Sequence, residues 1–312
     1  MTAPVTILLP VYNDNASLQM VLQDILQLQD TRLQNLQFAI VNDGSVDFSV
    51  KKIADENKIT VIHLIRNLGH QKAIAIGLSY IKENYKDSTV IVMDADGEDR
   101  AADIQLLLDA NEKSASTIFF AARKRRANGL AFKLFYYLYK LSFYLFTGKK
   151  ISFGNFSLIP YPTLCRVVYY GEIWNNYPGG IMKSGLTYRA LPTTRGNRYE
   201  GKSKMNFTSL MLHGFGAIAV FLEIIITKIA LVSFLLMLVS VISLATILII
   251  KTTTTLAVPG WASTLGSSMF IILLISFIIS LIAIFIYLST QSQRKFIPAL
   301  HYQDYILQTE TI

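Results

Sequence analysis

The chain alternates between two hydrophobic rhythms and then abandons both. Over the first 122 residues, short β-rich apolar runs at VTILL (5–9), FAIV (38–41), TVIHL (60–64), TVIVM (89–93) and TIFFA (117–121) are separated by segments of helical character. In one of these Leu18, Val21, Leu22 and Ile25 recur at helical spacing, the pattern of a helix that lays one face on a core. Strands alternating with helices predict a parallel sheet, so the expected fold class is α/β. In such sheets ligands bind beyond the carboxyl ends of the strands. The strings found there are PVYND after the first run, NDGS after the second, RNLGHQKA after the third and DADGED after the fourth. Four strand ends are expected to converge on one site.

Farther along, polar punctuation disappears. Ile229 to Ile250 carries no charge and lies between Lys228 and Lys251; as helix it measures roughly 33 Å, about the thickness of a bilayer core. After the charge-free linker TTTTLAVPGWASTLGS, a second uncharged stretch runs from Met269 to Leu288 and leads to Arg294 and Lys295. Basic outer flanks around an uncharged linker predict a two-helix membrane hairpin with the N-terminal domain and the tail on the cytoplasmic side. Neither span holds an ionisable residue, so an anchor is expected and not a transport path. The start, MTAPVTILLPVYNDN, lacks the basic region and long apolar core of a signal peptide, which again predicts a cytoplasmic first domain.

Two stretches suit the bilayer surface. In LAFKLFYYLYKLSFYLF (130–146), Lys133, Tyr137, Lys140 and Tyr144 share one helical face, no acid occurs, and Arg123, Lys124, Arg125 and Arg126 precede it. That is an interfacial helix whose lysines reach headgroups, with a buried core helix as the competing reading. NFTSLMLHGFGAIAVFL (206–222) joins a basic string to the first span. The expected organisation is 1–122 as an α/β ligand-binding domain, 123–228 as an acceptor-side region, 229–290 as two membrane helices and 291–312 as a cytoplasmic tail.

Composition agrees. At 52% hydrophobic and 16% charged residues, with a mean hydropathy of +0.40, the 312-residue chain is too apolar for an ordinary soluble domain. Its net charge of +8 gathers at Arg123–Arg126 and again at Arg189, Arg195, Arg198, Lys202 and Lys204. Such clusters suit the phosphates of lipids, nucleotides or nucleic acid. The single cysteine, Cys165, excludes an intramolecular disulfide and a multi-cysteine metal site.

The chemistry gathers where the most apolar run, VIVM, meets Asp94, Asp96, Glu98 and Asp99. If the pleat continues, Asp96 reaches a divalent ion while Asp94 meets a ribose or a water of that ion. A solvated turn explains the same string without a metal. Taken with the other strand-end strings, these residues resemble the family 2 inverting glycosyltransferases of GT-A fold, in the membrane branch of dolichyl- and polyprenyl-phosphate sugar synthases. The resemblance runs from PVYND through RYEGKSKMN and takes in both spans. It implies that Pro10, Tyr12 and Asn13 line the nucleotide pocket, that Asp43 holds the base, and that Arg66, Asn67, Gly69, His70 and Gln71 close on the nucleotide. It implies too that Asp94 and Asp96 serve ribose and metal, the ion being Mg2+ or Mn2+. Each string also has an ordinary reading: Asp43-Gly44-Ser45 is a common turn, with Ser45 placed to cap a helix.

RGNRYEGKS satisfies the phosphate-loop spacing G-x-x-x-x-G-K-S, but no strand carrying a magnesium-binding acid follows it. Read in the other frame, Arg198, Gly201, Ser203 and Lys204 match a string of the polyprenyl-phosphate branch, which with Arg195 implies contact with diphosphate or acceptor phosphate. The resemblance therefore predicts a nucleotide-sugar donor, a uridine diphosphate sugar favoured, a polyprenyl-phosphate or other lipid acceptor, and a bacterial inner membrane; self-association is left open and nucleic acid is not expected. The lipid phosphate, already ionised, attacks the anomeric carbon with little need of a base. Two departures stand out. ISFGNFSLIP carries Ser152, Asn155 and Ser157 where relatives have acids and an arginine, leaving Asp99 as the base candidate, and Asn42 stands where an aspartate is common. A membrane-anchored nucleotide-sugar-binding protein without turnover is the alternative these departures raise.

Overall fold

The computed structural model describes residues 4–50, 58–124, 130–149, 153–200, 214–254, 260–292 and 296–312. They form two compact units: one of residues 1–141, 150–220 and 295–312, and one of 142–149 and 221–294.

The first unit is built on an eight-stranded, mostly parallel sheet. Its core strands are β1 (Val5–Val11), β2 (Leu36–Asn42), β3 (Lys58–Leu64) and β4 (Thr89–Val92), with β5 (Ile118–Lys124) farther out. The expected apolar runs are these strands. β1 is parallel to both β2 and β4, and β2 to β3. They read as continuous apolar runs because helices cover both faces. On one face α2 (His70–Asn84) packs over Leu8, Val41, Ile62 and Val92. On the other, α1 (Asn15–Leu26) and α3 (Asp103–Lys113) cover Ile7, Leu9, Ile40 and Ile91.

The sheet does not end at residue 122. β6 (Ser157–Ile159) inserts antiparallel between β4 and β5, and β7 (Tyr188–Thr194) extends β5 in parallel. Between them lie α5 (Tyr161–Val167) and α6 (Tyr177–Ser184). The expected tail also belongs here: its residues Ile306–Thr311 form β8, antiparallel to β3, giving the order β7-β5-β6-β4-β1-β2-β3-β8. The boundaries at 122 and 291 fail for one reason. They followed charge and hydropathy, whereas the edges of this sheet are completed by short or largely exposed strands that carry little of either signal.

The helix expected at 130–146 is α4 (Leu130–Thr147), whose last turns from Ser142 belong to the second unit. There Phe143 is buried and meets Phe221 edge to face at 5.8 Å, while Tyr144, Leu145 and Phe146 remain exposed. The unit's bulk is two helices, α7 (Leu222–Thr253) and α8 (Trp261–Ser292), of mean hydropathy 2.7 and 3.2 in their most apolar windows. Both are long and apolar enough to cross a membrane, and both keep most of their apolar side chains exposed. Lys228 near the start of α7 donates to the Leu145 carbonyl at 2.9 Å. Of the second surface-lying stretch, residues 206–213 fall outside the described residues, and 214–219 are helical.

Candidate active site

The turn after β2 is the seat of the site. Asp43, only 3% exposed, spends both carboxylate oxygens on backbone: Oδ1 accepts the Leu68 N–H at 2.7 Å and Oδ2 the Gly69 N–H at 2.9 Å. Burial pushes its pKa up, and these amides pull it back only in part. Gly44 beside it sits at φ +71°, and a Cβ there would stand 2.6 Å from the Asn67 nitrogen; the two loops meet backbone to backbone, and no side chain fits. Asp43 therefore shapes the 66–69 loop. Ser45 caps no helix; its Oγ accepts the Asn13 N–H at 2.9 Å, while Asn13 Oδ1 accepts the Val46 N–H at 3.0 Å. Asn13 holds a left-handed φ of +50°, which asparagine tolerates. Over this platform Tyr12, 42% exposed, and Pro10 line a cavity of about 160 Å³ with Asp43, Asn67, Gly69 and His70. A larger cavity of about 320 Å³, lined by Leu106, Phe119, Arg189 and Leu191, lies elsewhere and contains none of these residues.

The acids lie just past the strand and not within it. β4 ends at Val92, and residues 95–99 turn, so the pleat expected to carry Asp94 and Asp96, with Ala95 between them, is replaced by a loop that aims them at different partners. Asp94 Oδ1 lies 3.1 Å from His70 Nε2. Asp96 Oδ1 accepts the Glu98 N–H at 2.9 Å, and its Oδ2 meets Arg198 Nη2 at 2.6 Å. Arg195 pairs with Glu98 at 2.5 Å. The segment carrying these arginines is laid along the acid loop by its backbone, Gly196 N–H to the Glu98 carbonyl at 2.9 Å and Tyr199 N–H to the Asp96 carbonyl at 3.2 Å. Gly97, at φ +83°, leaves room for the Tyr199 ring, which a Cβ would approach to 2.4 Å. Burial opposes charge on His70, but Asp94, Asp96 and Asp43 outweigh it and hold its pKa above the ordinary value. Asp99, the expected base candidate, is 2% exposed, and its Oδ2 accepts the Asp94 N–H at 2.9 Å; buried and facing the loop's own backbone, it braces the loop.

A polar relay that the sequence did not announce runs behind His70. The Tyr177 N–H donates to Gln71 Oε1 at 2.6 Å, Gln71 Nε2 donates to Asn155 Oδ1 at 3.1 Å, and Asn155 Nδ2 lies 2.8 Å from His70 Nε2. Ser157 Oγ and the buried Tyr177 hydroxyl are 2.6 Å apart. Gln71, expected to close on the nucleotide, thus turns inward and is buried. The signal available beforehand was the polar pair Asn155 and Ser157 inside the apolar run FGNFSLI. Arg66 is exposed at the loop tip, and Ser152, Ser203 and Lys204 lie outside the described residues.

A family model described as Glycosyl transferase family 2 matches residues 6–182, more than half of the chain and every strand-end string named above. The chain belongs to glycosyl transferase family 2. Among the relatives of this glycosyltransferase are the uncharacterized glycosyltransferase YkcC of Bacillus subtilis, 26% identical over 69% of this chain and 68% of its own, and the uncharacterized glycosyltransferase sll0501 of Synechocystis, 26% identical over 87% and 86%. The undecaprenyl-phosphate 4-deoxy-4-formamido-L-arabinose transferase of Aeromonas hydrophila is 31% identical over 39% of this chain and 38% of its own. A solved glucosyl-3-phosphoglycerate synthase of Mycobacterium tuberculosis, crystallised with Mn2+, UDP and phosphoglyceric acid, has a TM-score of 0.48 at 12% identity over 72% of this chain and 78% of that one. The membership rests on the family model, not on that likeness.

The transferase's two loop acids carry the hard oxygen ligands that divalent cations take. Asp94 and Asp96 offer carboxylate oxygens, and among the described residues no group of three or more histidines, cysteines or acids is placed to hold a metal. A divalent cation bound here would take one or two carboxylates and would draw its remaining ligands from water or phosphate oxygens.

Proposed function

We propose that this glycosyltransferase moves a sugar from a nucleotide-sugar donor, a uridine diphosphate sugar favoured, to a polyprenyl-phosphate lipid at the cytoplasmic face of a bacterial inner membrane, inverting the anomeric centre. The observation that carries this reading is that His70, which lines the cavity under Tyr12, pairs with Asp94, while two residues on in the same loop Asp96 pairs with Arg198. Acids suited to a cation thus lie in the loop that follows β4, with a guanidinium suited to phosphate against them.

Tyr12 offers a face on which a base stacks, and the 66–69 loop, held by Asp43, offers backbone to the nucleotide. At about 160 Å³ the cavity is smaller than the roughly 300–1,000 Å³ of a whole small-molecule site, so it suits one part of the donor, with the diphosphate lying toward the acid loop. Asp94 and Asp96 are the residues that would hold Mg2+ or Mn2+, which when bound disperses charge on the diphosphate. Arg198 and Arg195 bring donors that match phosphate geometry. A lipid phosphate is ionised before it arrives and attacks without a strong base, which agrees with Asn155 in the acceptor segment and with the burial of Asp99.

The lipid acceptor draws support from the Aeromonas relative's name and from the two apolar helices. Connectivity supports a single side for the donor domain and tail. The chain leaves the first unit at residue 220, runs through both apolar helices, and rejoins the same sheet as β8, so two crossings return it to the face it left. Basic flanks favour the cytoplasm for that face.

The test is a donor screen: purified protein, a panel of nucleotide sugars, Mg2+ or Mn2+, and undecaprenyl or dolichyl phosphate. Sugar transfer to the lipid from one donor is expected. Nucleotide binding without turnover across the whole panel would favour a binding protein instead.

A further inference from the structure

Behind the nucleotide turn runs a chain of hydrogen bonds that ends on the last strand of the sheet. Its direction follows from one fixed donor. The Ser45 backbone N–H points at Asn42 at 2.9 Å, so the atom facing it is the acceptor Oδ1, and the Nδ2 of this buried side chain therefore faces His63 Nδ1, 3.0 Å away. An amide NH2 only donates, so His63 Nδ1 accepts and the ring carries its proton on Nε2. Nε2 lies 3.1 Å from Glu310 Oε1, and the carboxylate accepts that proton's hydrogen bond. Glu310 pairs directly with Val61 across β3 and β8, which puts it diagonal to His63 on the same sheet face. Every donor from Glu310 to Ser45 then meets an acceptor, and Ser45 in turn receives the Asn13 N–H.

We propose that Glu310 and His63 are positioning residues for donor recognition: β8 sets the His63 tautomer, the tautomer sets the Asn42 amide, and the amide holds the turn on which the nucleotide rests. This rests on the reading of that turn as part of the donor site. It also accounts for asparagine at position 42. An aspartate has no N–H to give to His63 Nδ1, so the tautomer that suits Glu310 suits Asn42 and not its acid.

The proposal predicts a specific rescue. Glu310→Gln keeps an acceptor for Nε2–H and should leave donor KM near wild type. Glu310→Lys presents a donor instead, drives the proton to Nδ1, and turns the Asn42 amide so that its NH2 faces the Ser45 N–H. Donor KM should rise about two- to ten-fold, with kcat changed less than about two-fold, since one hydrogen bond outside the reacting atoms is lost. Adding Asn42→Asp supplies acceptors for both Nδ1–H and the Ser45 N–H, and the double variant should recover. An E310K donor KM equal to wild type, E310Q damage equal to that of E310K, or an N42D effect that adds to E310K without cancelling it would each overturn the proposal. Should E310K detach β8, the 15N shifts of His63 in the unmodified full-length protein decide: protonation at Nε2 is expected, and protonation at Nδ1 overturns it. A wild-type protein with no donor turnover and no nucleotide binding refutes the functional reading alone and leaves the tautomer measurement standing.

Discussion

Asp43→Asn probes how the donor loop is held. The carboxylate accepts from two backbone amides, Leu68 and Gly69, at 2.7 and 2.9 Å. The carboxamide is nearly isosteric, but one of its terminal atoms donates, so one of those N–H groups faces an NH2 and loses its partner. A buried N–H left unmade costs about 1–3 kcal/mol. Removing the charge works the other way for global stability, because burial already makes the ionised carboxyl costly to keep. The net change in unfolding free energy is therefore smaller, on the order of 1 kcal/mol, while the full loss falls on the order of the 66–69 loop. If that order is what the nucleotide selects, Kd rises by about 5- to 150-fold, at ~1.4 kcal/mol per factor of ten. Calorimetric titration with uridine diphosphate, alongside hydrogen exchange at Leu68 and Gly69, measures both halves. Unchanged affinity in a variant whose two amides exchange rapidly would refute the link between loop order and binding; amides that stay protected would refute the clamp itself.

Three further outcomes follow from the same geometry. Gly44→Ala forces a Cβ against the Asn67 and Arg66 backbone at a φ of +71°, so donor affinity should fall more than melting temperature, read by parallel titration and thermal denaturation. Asp96→Asn loses an anionic acceptor for Arg198 and the second acid of the cation site; metal-dependent turnover should drop by about 100-fold or more in a protein whose circular dichroism is unchanged, and full turnover would remove Asp96 from the site. His70, raised above 6.5 in the fold by its acidic neighbours despite burial, contributes stability that is complete below 6.5 and lost as pH climbs through the folded value. The melting-temperature advantage of wild type over His70→Gln should shrink over that rise.

What could be read in advance divides along physical lines. β1 to β4 and residues 118–121 of β5 are almost wholly buried, so their apolar runs betray them, and the ligand-binding edge follows from strand direction alone. The fold sets His70 beside Asp94 and Arg198 against Asp96, with Tyr12 and His70 lining one cavity. Roles were harder, because partners far apart in the chain decide them. Asp43 holds the amides of Leu68 and Gly69, and Gln71 turns inward onto Asn155 and Tyr177, contacts that no local pattern announces. The edge strands β7 and β8 are largely exposed and carry no strong apolar alternation to mark them. Asn42 departs from the family pattern, and His63, which it meets, and Glu310, which His63 meets, lie 247 residues apart, beyond the reach of any local signal.

That separation bears on how the protein is made. β3 is synthesised early and its outer neighbour β8 only after both long apolar helices, so the early-built domain emerges from the ribosome with an open edge that waits for the whole greasy hairpin to be dealt with. Pairing so distant in sequence is slow to close. Until β8 pairs, the β3 edge stays open and the Glu310 end of the hydrogen-bond chain to the donor turn is missing.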